Sequence, residues 1–235
     1  MVKGIYVAAR GLNERMQNLE IVANNLANIN TTGYKREVPF SEILNQAGKP
    51  VIQHVTDFSQ GSLVQTTNPL DLAISGTGFF VVQTKYGDQL TRNGNFQISS
   101  DGYLVDQDGN MLIGKNGPIN VMAYSTDKNQ KITVTGDGEL KIGNNLVGSL
   151  LIAKPWEQGQ AVRGSGVDFT TGAAGFQLVN ANDFQVKQGY LEESNVNPVK
   201  ELEEMIQLNT EYGSAQKVVN SLDQSLGEAN QIGQV

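Results

Sequence analysis

The segment NNLANINTTGYKRE, residues 24–37, marks the point at which a helical pattern at the start of the chain has to stop. Four of its first seven residues are asparagine, a poor helix-interior residue because its short amide competes with the backbone for hydrogen bonds. We expect Gly33 in a left-handed conformation, where it ends the helix or turns the chain. Tyr34 and Lys35 then begin the crossing to another part of the protein.

The residues before this segment carry an apolar stripe with a seven-residue period. Steps of four and three residues alternate along it, as in a coiled-coil seam, whereas a straight helix packed on a globule drifts from a strict seven-residue repeat. The stripe therefore predicts a long N-terminal helix with a coiled-coil face. Its positions are Ile5, Ala9, Leu12, Met16, Leu19, Ala23 and Leu26.

A second stripe of the same kind lies near the end of the chain. Its positions are Met205, Leu208, Tyr212, Ala215, Val219, Leu222, Leu226 and Ala229. Pro198 stands just before the pattern, where proline suits a helix start, and acidic residues fill the first turns, where the helix dipole favours them. This stripe predicts a C-terminal coiled-coil helix.

The two predicted helices carry opposite charge. Residues 2–37 hold five basic and three acidic residues, whereas residues 198–235 hold two basic and six acidic residues. Exposed ion pairs add little stability, but they help to choose partner and register. We therefore expect the helices to pair with each other or with neighbouring copies; separate packing of each helix on the central region is the alternative. Because the stripes use much alanine, one pair is expected to be marginal alone and to gain order on assembly.

The region between the helices is predicted to be β. DLAISGTGFFVVQT, residues 71–84, has the composition of a strand, and paired turn residues follow it. Asn-Gly and Asp-Gly pairs supply the positive φ angles of hairpin turns, so their close spacing is typical of a meander or small barrel. The turn pairs are Gly87-Asp88, Asn93-Gly94, Asp101-Gly102, Asp108-Gly109, Asn116-Gly117 and Asp137-Gly138.

The sequence thus predicts an α+β protein with three parts. Residues 1–35 and 195–235 form a discontinuous domain of paired coiled-coil helices. Residues 36–68 form a linker or extended loop. Residues 69–194 form an outer, all-β domain built as a meander or small barrel.

Composition argues against several functional classes. The net charge of −7 disfavours nucleic acid as a partner, since phosphate binding needs a basic surface. The absence of cysteine excludes disulfides and thiolate metal sites, and His54, the single histidine, leaves little room for Ser-His catalysis. DQDGN, residues 106–110, begins like a calcium loop but lacks the closing ligands, and a hairpin turn explains it. No catalytic, cofactor-binding or metal-binding residue is predicted, and the chain is expected not to be an enzyme.

Two expectations concern the membrane. No run approaches the ~20 apolar residues of a membrane-spanning helix, so no direct membrane insertion is expected. The first sixteen residues, MVKGIYVAARGLNERM, do not resemble a cleaved secretory signal, because charged residues interrupt a short apolar part.

The asparagine cluster calls for a separate hypothesis. Asn24, Asn25 and Asn28 are predicted to lie where the helix end meets other subunits, because an amide both donates and accepts hydrogen bonds and can satisfy foreign backbone groups. Buried polar side chains in helical bundles also fix register. The alternative is that these residues are merely exposed at a fraying helix end.

Four segments resemble, in order, the flagellar basal-body rod and hook protein family. NNLANINTTGYKR at 24–36 is similar to the family's N-terminal signature, and GYLEESNVNPVKELEEMIQ at 189–207 resembles its C-terminal signature. DLAISGTGFFVV at 71–82 and LTRNGNFQISSDGYLVDQDGNMLIG at 90–114 are similar to the opening of its β domain. One departure lies at Thr210, where related helices commonly carry arginine.

The resemblance implies a structural subunit of the bacterial flagellar basal-body rod. Its terminal helices would polymerise into a helical tube that transmits torque and passes exported subunits, with proximal-rod members matching best and distal-rod members next. Implied partners are copies of itself, other flagellar axial (rod and hook) proteins and the flagellar type III export apparatus, which would place the chain outside the cytoplasmic membrane. The alternative function is a secreted β-domain that binds glycan or peptidoglycan, for which a single tryptophan, Trp156, offers little aromatic platform.

Overall fold

A computed structural model describes residues 2–42, 51–122, 131–156, 161–164, 166–170 and 175–232 of this chain. The chain divides into two compact units, which are described one at a time. The helix unit comprises residues 1–29, 36–57 and 196–235, and the β unit comprises residues 30–35 and 58–195. Helices at both ends and β structure in the middle confirm the predicted α+β class.

The helix unit contains two long helices, α1 (Val2–Ala27) and α2 (Pro198–Ile232). Asn197 caps α2, since its side-chain oxygen accepts hydrogen bonds from the backbone N–H groups of Val199 and Lys200 at 3.0 and 3.2 Å. Proline follows as the first helical residue, where the missing N–H costs nothing. The predicted helix start at Pro198 is therefore confirmed.

The helix unit also contains a two-stranded antiparallel sheet, formed by β1 (Glu37–Glu42) and β2 (Val51–Thr56). Its register runs from Glu37 opposite Thr56 to Glu42 opposite Val51. These strands fall inside the segment 36–68 that was expected to be a linker. VIQHVT is rich in β-branched residues, which favour extended, paired backbone. The unit boundary falls near residue 57, within the expected linker.

The β unit is a set of short strands in several antiparallel sheets. The strands are β3 (Leu63–Gln65), β4 (Leu72–Gly76), β5 (Phe79–Thr84), β6 (Gly87–Thr91), β7 (Gln97–Ile98), β8 (Leu104–Val105), β9 (Met111–Gly114), β10 (Gly117–Pro118), β11 (Ile132–Val134), β12 (Glu139–Ile142), β13 (Asn145–Ser149), β14 (Ile152–Pro155), β15 (Val162–Arg163), β16 (Phe169–Thr170), β17 (Phe176–Leu178), β18 (Phe184–Gln188) and β19 (Tyr190–Glu192).

Local hairpins and long-range pairs both build this unit. The largest sheet runs in the order β15-β16-β6-β5-β9-β8-β7 among the described residues, with β10, β14 and β17 attached to it. β11, β12 and β13 form a separate meander. β18 pairs with β4 and β19 pairs with β3, so the last strands of the unit close onto its first ones.

Most predicted turn glycines have positive φ, among them Gly102 at 83° and Gly138 at 82°. Gly94 is different, because glycine is required there by the close approach of another backbone segment. A Cβ at this position would lie 1.5 Å from the carbonyl oxygen of Leu72. The Asn93-Gly94 pair therefore marks a backbone crossing and not a hairpin turn.

β5 lies between two apolar clusters of the β unit. Phe80 and Val82 belong to the larger cluster, whereas Phe79 and Val81 belong to the smaller one. Neighbouring side chains on a strand point to opposite faces, so the continuous apolar run FFVV is that of a strand buried on both sides.

Candidate functional site

The two helices contact each other within the helix unit, and two polar contacts define their orientation. Asn25 Nδ2 donates to Glu201 Oε2 at 3.1 Å, and Arg15 Nε lies 3.4 Å from Glu211 Oε2. Arg15 lies ten residues before Asn25 on α1, whereas its partner Glu211 lies ten residues after Glu201 on α2. The helices are therefore antiparallel neighbours in a defined register.

The predicted stripe overlaps only in part with the face of α1 that is buried within the chain. Ile21, Val22 and Asn25 are buried near its end. Among the stripe positions, Leu12, Leu19 and Leu26 are half-buried, whereas Ala9, Met16 and Ala23 are exposed. The side chain of Ile5 lies outside the described residues. The exposed stripe positions are thus available to a contact beyond this chain.

On α2 the predicted stripe coincides with the less exposed face. Its described positions are half-buried, and they are Met205, Leu208, Tyr212, Ala215, Val219 and Leu222. The side chains of Leu226 and Ala229 lie outside the described residues. Large apolar side chains also project elsewhere on this helix, since Val199 is 72% exposed and Ile206 is 68% exposed. Leu202 and Val218 are exposed as well.

Asn25 holds the end of α1 to the hairpin strand β1. Its amide donates to the Glu37 carbonyl oxygen at 2.8 Å, and its side-chain oxygen accepts from the Glu37 N–H at 3.0 Å. The side chain thereby imitates one step of a β-ladder, and it is fully buried. This is a contact within the chain, and the predicted contact of Asn25 with other subunits stays a prediction.

The other two asparagines of the cluster are not buried in the same way. Asn24 is exposed, and Asn28 is half-buried at the helix end. Asn28 Nδ2 donates to the Asn24 carbonyl oxygen at 2.8 Å, which satisfies one of the last carbonyl groups of α1. Their predicted role in a contact with other subunits remains a prediction.

Arg36 joins the hairpin to the start of α2. Its guanidinium group bonds Glu201 at 2.5 Å and Glu204 at 2.9 Å. The Glu201 carboxylate is fully buried and also accepts from Asn25. Because charged hydrogen bonds of this kind are directional, the group fixes where the two helices and the hairpin meet.

In the β unit, Gly33 and Lys35 are held by tight contacts. Gly33 has a φ of 71°, as predicted for a left-handed turn, and a Cβ there would lie 2.3 Å from the Asn93 backbone nitrogen. Lys35 is fully buried, and its Nζ donates to Glu192 Oε1 at 2.5 Å and to the Ser59 carbonyl oxygen at 2.6 Å. The helix itself ends earlier, at Ala27, so Gly33 turns the chain instead of ending the helix.

Arg163 and Arg92 complete this arrangement. Arg163 stacks over the Tyr34 ring, 4.3 Å from its centroid, and donates to the Lys35 carbonyl oxygen at 2.5 Å. Arg92 donates to the second oxygen of Glu192 at 2.9 Å. Two buried cations therefore share one buried carboxylate.

Sequence reasoning did not single out Lys35, Arg36, Glu192 and Glu201 as a connected set. A signal was present, because the two adjacent cations end one signature segment and the acids lie in the other, 157 and 165 residues away. Complementary charges in two distant motifs point to a contact. Pattern alone does not say which cation meets which acid.

The described residues of the β unit line a smaller and a larger cavity, among others. One, of about 370 Å³, is lined by Phe58, Gln60, Gly76, Thr77, Gly78, Phe79, Arg92, Lys154 and Pro155. The other, of about 670 Å³, includes Asp108 and Asp168 in its wall. Burial raises the pKa of the Asp168 carboxyl to about 6, and the charges of Asp106 and Asp108 add to the rise, while a hydrogen bond with Thr91 opposes it.

The described residues contain no group of acidic or histidine side chains suited to hold a metal ion. Within the same residues, neither helix has the length and apolar character needed to cross a membrane.

Three family models match the chain in sequence order. The model described as "Flagella basal body rod protein" matches residues 5–35, and "Flagellar hook protein FlgE/F/G D1 domain" matches residues 73–142. "Flagellar basal body rod FlgEFG protein C-terminal" matches residues 187–232. The matches include the segments that carry the buried ion pairs.

Curated proteins match over almost their full length. The flagellar basal-body rod protein FlgG of Agrobacterium fabrum is 34% identical, with 95% of this chain and 96% of the relative covered. FlgF of Caulobacter vibrioides is 32% identical with full coverage of both chains. FlgF of Salmonella typhimurium is also 32% identical, with 99% of this chain and 98% of the relative covered.

Proposed function

This chain belongs to the flagellar basal-body rod protein family, and we propose that it assembles through its terminal helices. As a member of that family it is a structural protein of the flagellum and not an enzyme. The helices pair as an antiparallel coiled coil, and their outward faces bind neighbouring copies and other axial proteins. The rod role has the support of the family assignment, whereas the alternative of a glycan- or peptidoglycan-binding module has none.

One observation carries this proposal: apolar side chains project from both helices away from their mutual contact. On α1, Tyr6 is 65% exposed and Val7 is 61% exposed, and Met16 of the stripe is exposed too. On α2, Val199 and Ile206 project in the same way. Side chains of this kind grouped on a long helix mark a surface for protein contacts.

The outward faces of the two helices differ in sequence, so a contact between them is heterologous. Heterologous contacts that do not close a ring generate helical assemblies. Such an assembly of paired helices forms a tube whose wall carries torque and whose lumen passes exported subunits. The small residues on the α1 stripe, Ala9 and Ala23, allow close approach of a neighbouring helix.

The buried polar groups give the helix pair one register. Asn25 and Glu201 are buried and joined, and Arg36 binds the same carboxylate. Buried polar groups in helical bundles specify register best when a mismatch leaves a charge unpaired. Each subunit would thus present the same outward face to its neighbour.

We further propose that the chain lies in the proximal rod, outside the cytoplasmic membrane, and reaches it through the flagellar type III export apparatus. The similarity of NPLDLAI and KNGPINV to proximal-rod members supports this position, as does the short segment between Tyr34 and Leu70. Immunogold labelling of isolated hook–basal bodies tests it. Label on the part of the rod next to the hook would contradict it.

The assembly proposal is tested with the double variant Leu202→Ser, Ile206→Ser. Both side chains project from α2, so the monomer should keep its helix content in circular dichroism while polymerisation, followed by sedimentation and electron microscopy, is lost. Leu178→Ser is the matched control, because Leu178 is an exposed apolar residue of the β unit, 62% exposed. Unchanged polymerisation of the double variant would overturn the proposal.

A further inference from the structure

We propose that the larger cavity of the β unit binds a guanidinium group. Among the described residues that line it, Asp108 and Asp168 are acidic and Lys85 is basic. Its volume of about 670 Å³ is typical of small-ligand pockets, which measure about 300–1,000 Å³. These residues all belong to the β unit, so the site does not depend on how the chain assembles.

Asp168 is a buried acid without a counter-ion. It is 5% exposed, and no basic residue in the described part of the chain forms an ion pair with it. Because its pKa of about 6 lies below neutral pH, the carboxylate is mainly charged in the cell. A buried charge of this kind is stabilised strongly by a cation that enters the cavity.

Gln89 is a second, independent observation that points to a ligand. It lies on β6 opposite Val82 of β5, lines the cavity and is 4% exposed. Its side-chain amide has no hydrogen-bond partner among the described residues, and both amide atoms keep some accessible surface. A largely buried amide without partners is unfavourable, so Gln89 Oε1 is available to accept from an N–H group in the cavity.

These residues do not fit a metal ion. Asp106 is close by, but its carboxylate already accepts from the N–H groups of Asp108 and Asn110 at 2.9 and 2.8 Å, and from Asn110 Nδ2 at 2.8 Å. The part of the chain that the structure describes has no group of three acidic or histidine side chains suited to a metal. The remaining acceptors are two carboxylates and one amide oxygen, which suit a cation that carries several N–H donors.

A guanidinium group fits the cavity better than an ammonium group. It presents five N–H donors in one plane and is more weakly hydrated, so it enters a largely buried site at a lower cost. The exposed ring of Tyr86 and the half-buried Met111 offer apolar contact to the alkyl chain that carries it. Lys85 is exposed at the rim, 4.9 Å from the Tyr86 ring centroid, where its charge limits the affinity for a cation.

Guanidinium groups come from two sources, an arginine side chain of a neighbouring axial subunit and a free guanidinium compound. A single guanidinium group binds weakly, and a neighbour held in an assembly presents its side chains at a high effective concentration. The neighbouring subunit is therefore the favoured source. This assignment of source, unlike the site itself, rests on the proposed assembly.

The site is tested on the full-length monomer with methylguanidinium chloride as the probe and sodium chloride at equal ionic strength as the reference. The readout is the side-chain NH₂ signal of Gln89 in two-dimensional NMR spectra, which is assigned by its loss in Gln89→Met. This signal should shift saturably with a dissociation constant of about 1–10 mM, as expected for so small a ligand. Methylammonium should bind more weakly, and equal binding would overturn the assignment to a guanidinium group.

Three variants separate binding from an effect on folding. Asp168→Asn should weaken binding of the probe by about tenfold or more, because a bond to a buried charge is lost. Lys85→Gln should strengthen binding by about threefold, because it removes an exposed repulsive charge, and unfolding cannot produce a gain in affinity. The matched control is Asp137→Asn, an exposed turn aspartate of the β unit that does not line the cavity and should bind as the wild type does.

The guanidinium site is refuted, even where polymers form normally, if the Gln89 signal shows no saturable shift in the wild type or if Asp168→Asn binds the probe with unchanged affinity. The source is distinguished by polymerisation in the presence of the probe. If an arginine of a neighbour occupies the cavity, saturating methylguanidinium should slow polymerisation of the wild type and leave that of Asp168→Asn unchanged. Wild-type polymerisation that the probe does not slow would overturn the subunit source and assign the site to a free guanidinium compound.

Discussion

Because Lys35 and Arg92 share the carboxylate of Glu192, we can predict which of two substitutions destabilises the protein more. Glu192→Gln removes the carboxylate that Lys35 and Arg92 both bind, whereas Lys35→Met leaves Glu192 still paired with Arg92. Removing one member of a buried ion pair costs about 3–5 kcal/mol when a charge is left uncompensated. Loss of a hydrogen bond to a charged group costs about 1.5–3 kcal/mol. Glu192→Gln should therefore destabilise the β unit more than Lys35→Met.

The measurement is urea unfolding of the full chain, with near-ultraviolet circular dichroism reporting the β unit through its tyrosines and Trp156. With a denaturant slope of about 2 kcal/mol/M, the Glu192→Gln transition should fall by roughly 2 M, and the Lys35→Met transition by about half as much. The matched control is Glu139→Gln. Glu139 is solvent-exposed and pairs with Lys141 at 2.8 Å, so its midpoint should stay close to that of the wild type.

Two outcomes would refute this reasoning. If Glu192→Gln lowers the midpoint no more than Glu139→Gln does, the buried carboxylate does not hold the two cations. If Lys35→Met is the more destabilising variant, then the packing and hydrogen bonds of the lysine, and not the shared charge, dominate the site.

Gly94→Ala should destabilise the β unit by about 3 kcal/mol or more, because a Cβ there would overlap the Leu72 carbonyl oxygen. The control is Gly148→Ala, which has open space around it and should unfold at nearly the wild-type urea concentration. The raised pKa of Asp168, about 6 against an ordinary 3.8, means that the folded state binds the proton more tightly; its contribution to stability is complete below pH 3.8 and is lost as the pH rises through 6. Calorimetry should thus show the wild type losing stability between pH 4 and pH 6 by more than Asp168→Asn, and identical profiles would contradict the assignment. Asn25→Leu should cost the helix unit about 2–4 kcal/mol, because two Glu37 backbone groups lose their partner, and a thermal transition at 222 nm unchanged from wild type would contradict this.

The helices and many of the turns could be predicted because their signals are local. The seven-residue period predicts α1 and α2, and the pair Asp101-Gly102 predicts a positive φ that the structure has. Turn pairs of the Asn-Gly type indicate strands in the β unit, but the segment that contains β1 and β2 has no such pair, so this signal does not predict them.

The site was predictable only in part, because its residues acquire their roles from distant partners. The sequence showed that asparagines were too frequent for a helix interior, but nothing nearby identifies Glu37 and Glu201 as the partners of Asn25. The sequence also does not show that Met16 is exposed, because an apolar heptad position has the same pattern whether its partner helix lies in the same chain or in another.

The sequence by itself determined the family, the terminal helices and the sites where the chain turns, because backbone preference and apolar period act over a few neighbouring residues. Only the tertiary structure decided that Lys35 and Arg92 share the carboxylate of Glu192 and that Gly94 lies against the backbone of Leu72. Such pairings join residues many positions apart. Their geometry depends on how the intervening chain folds, so the distance between two such residues does not follow from their order in the sequence.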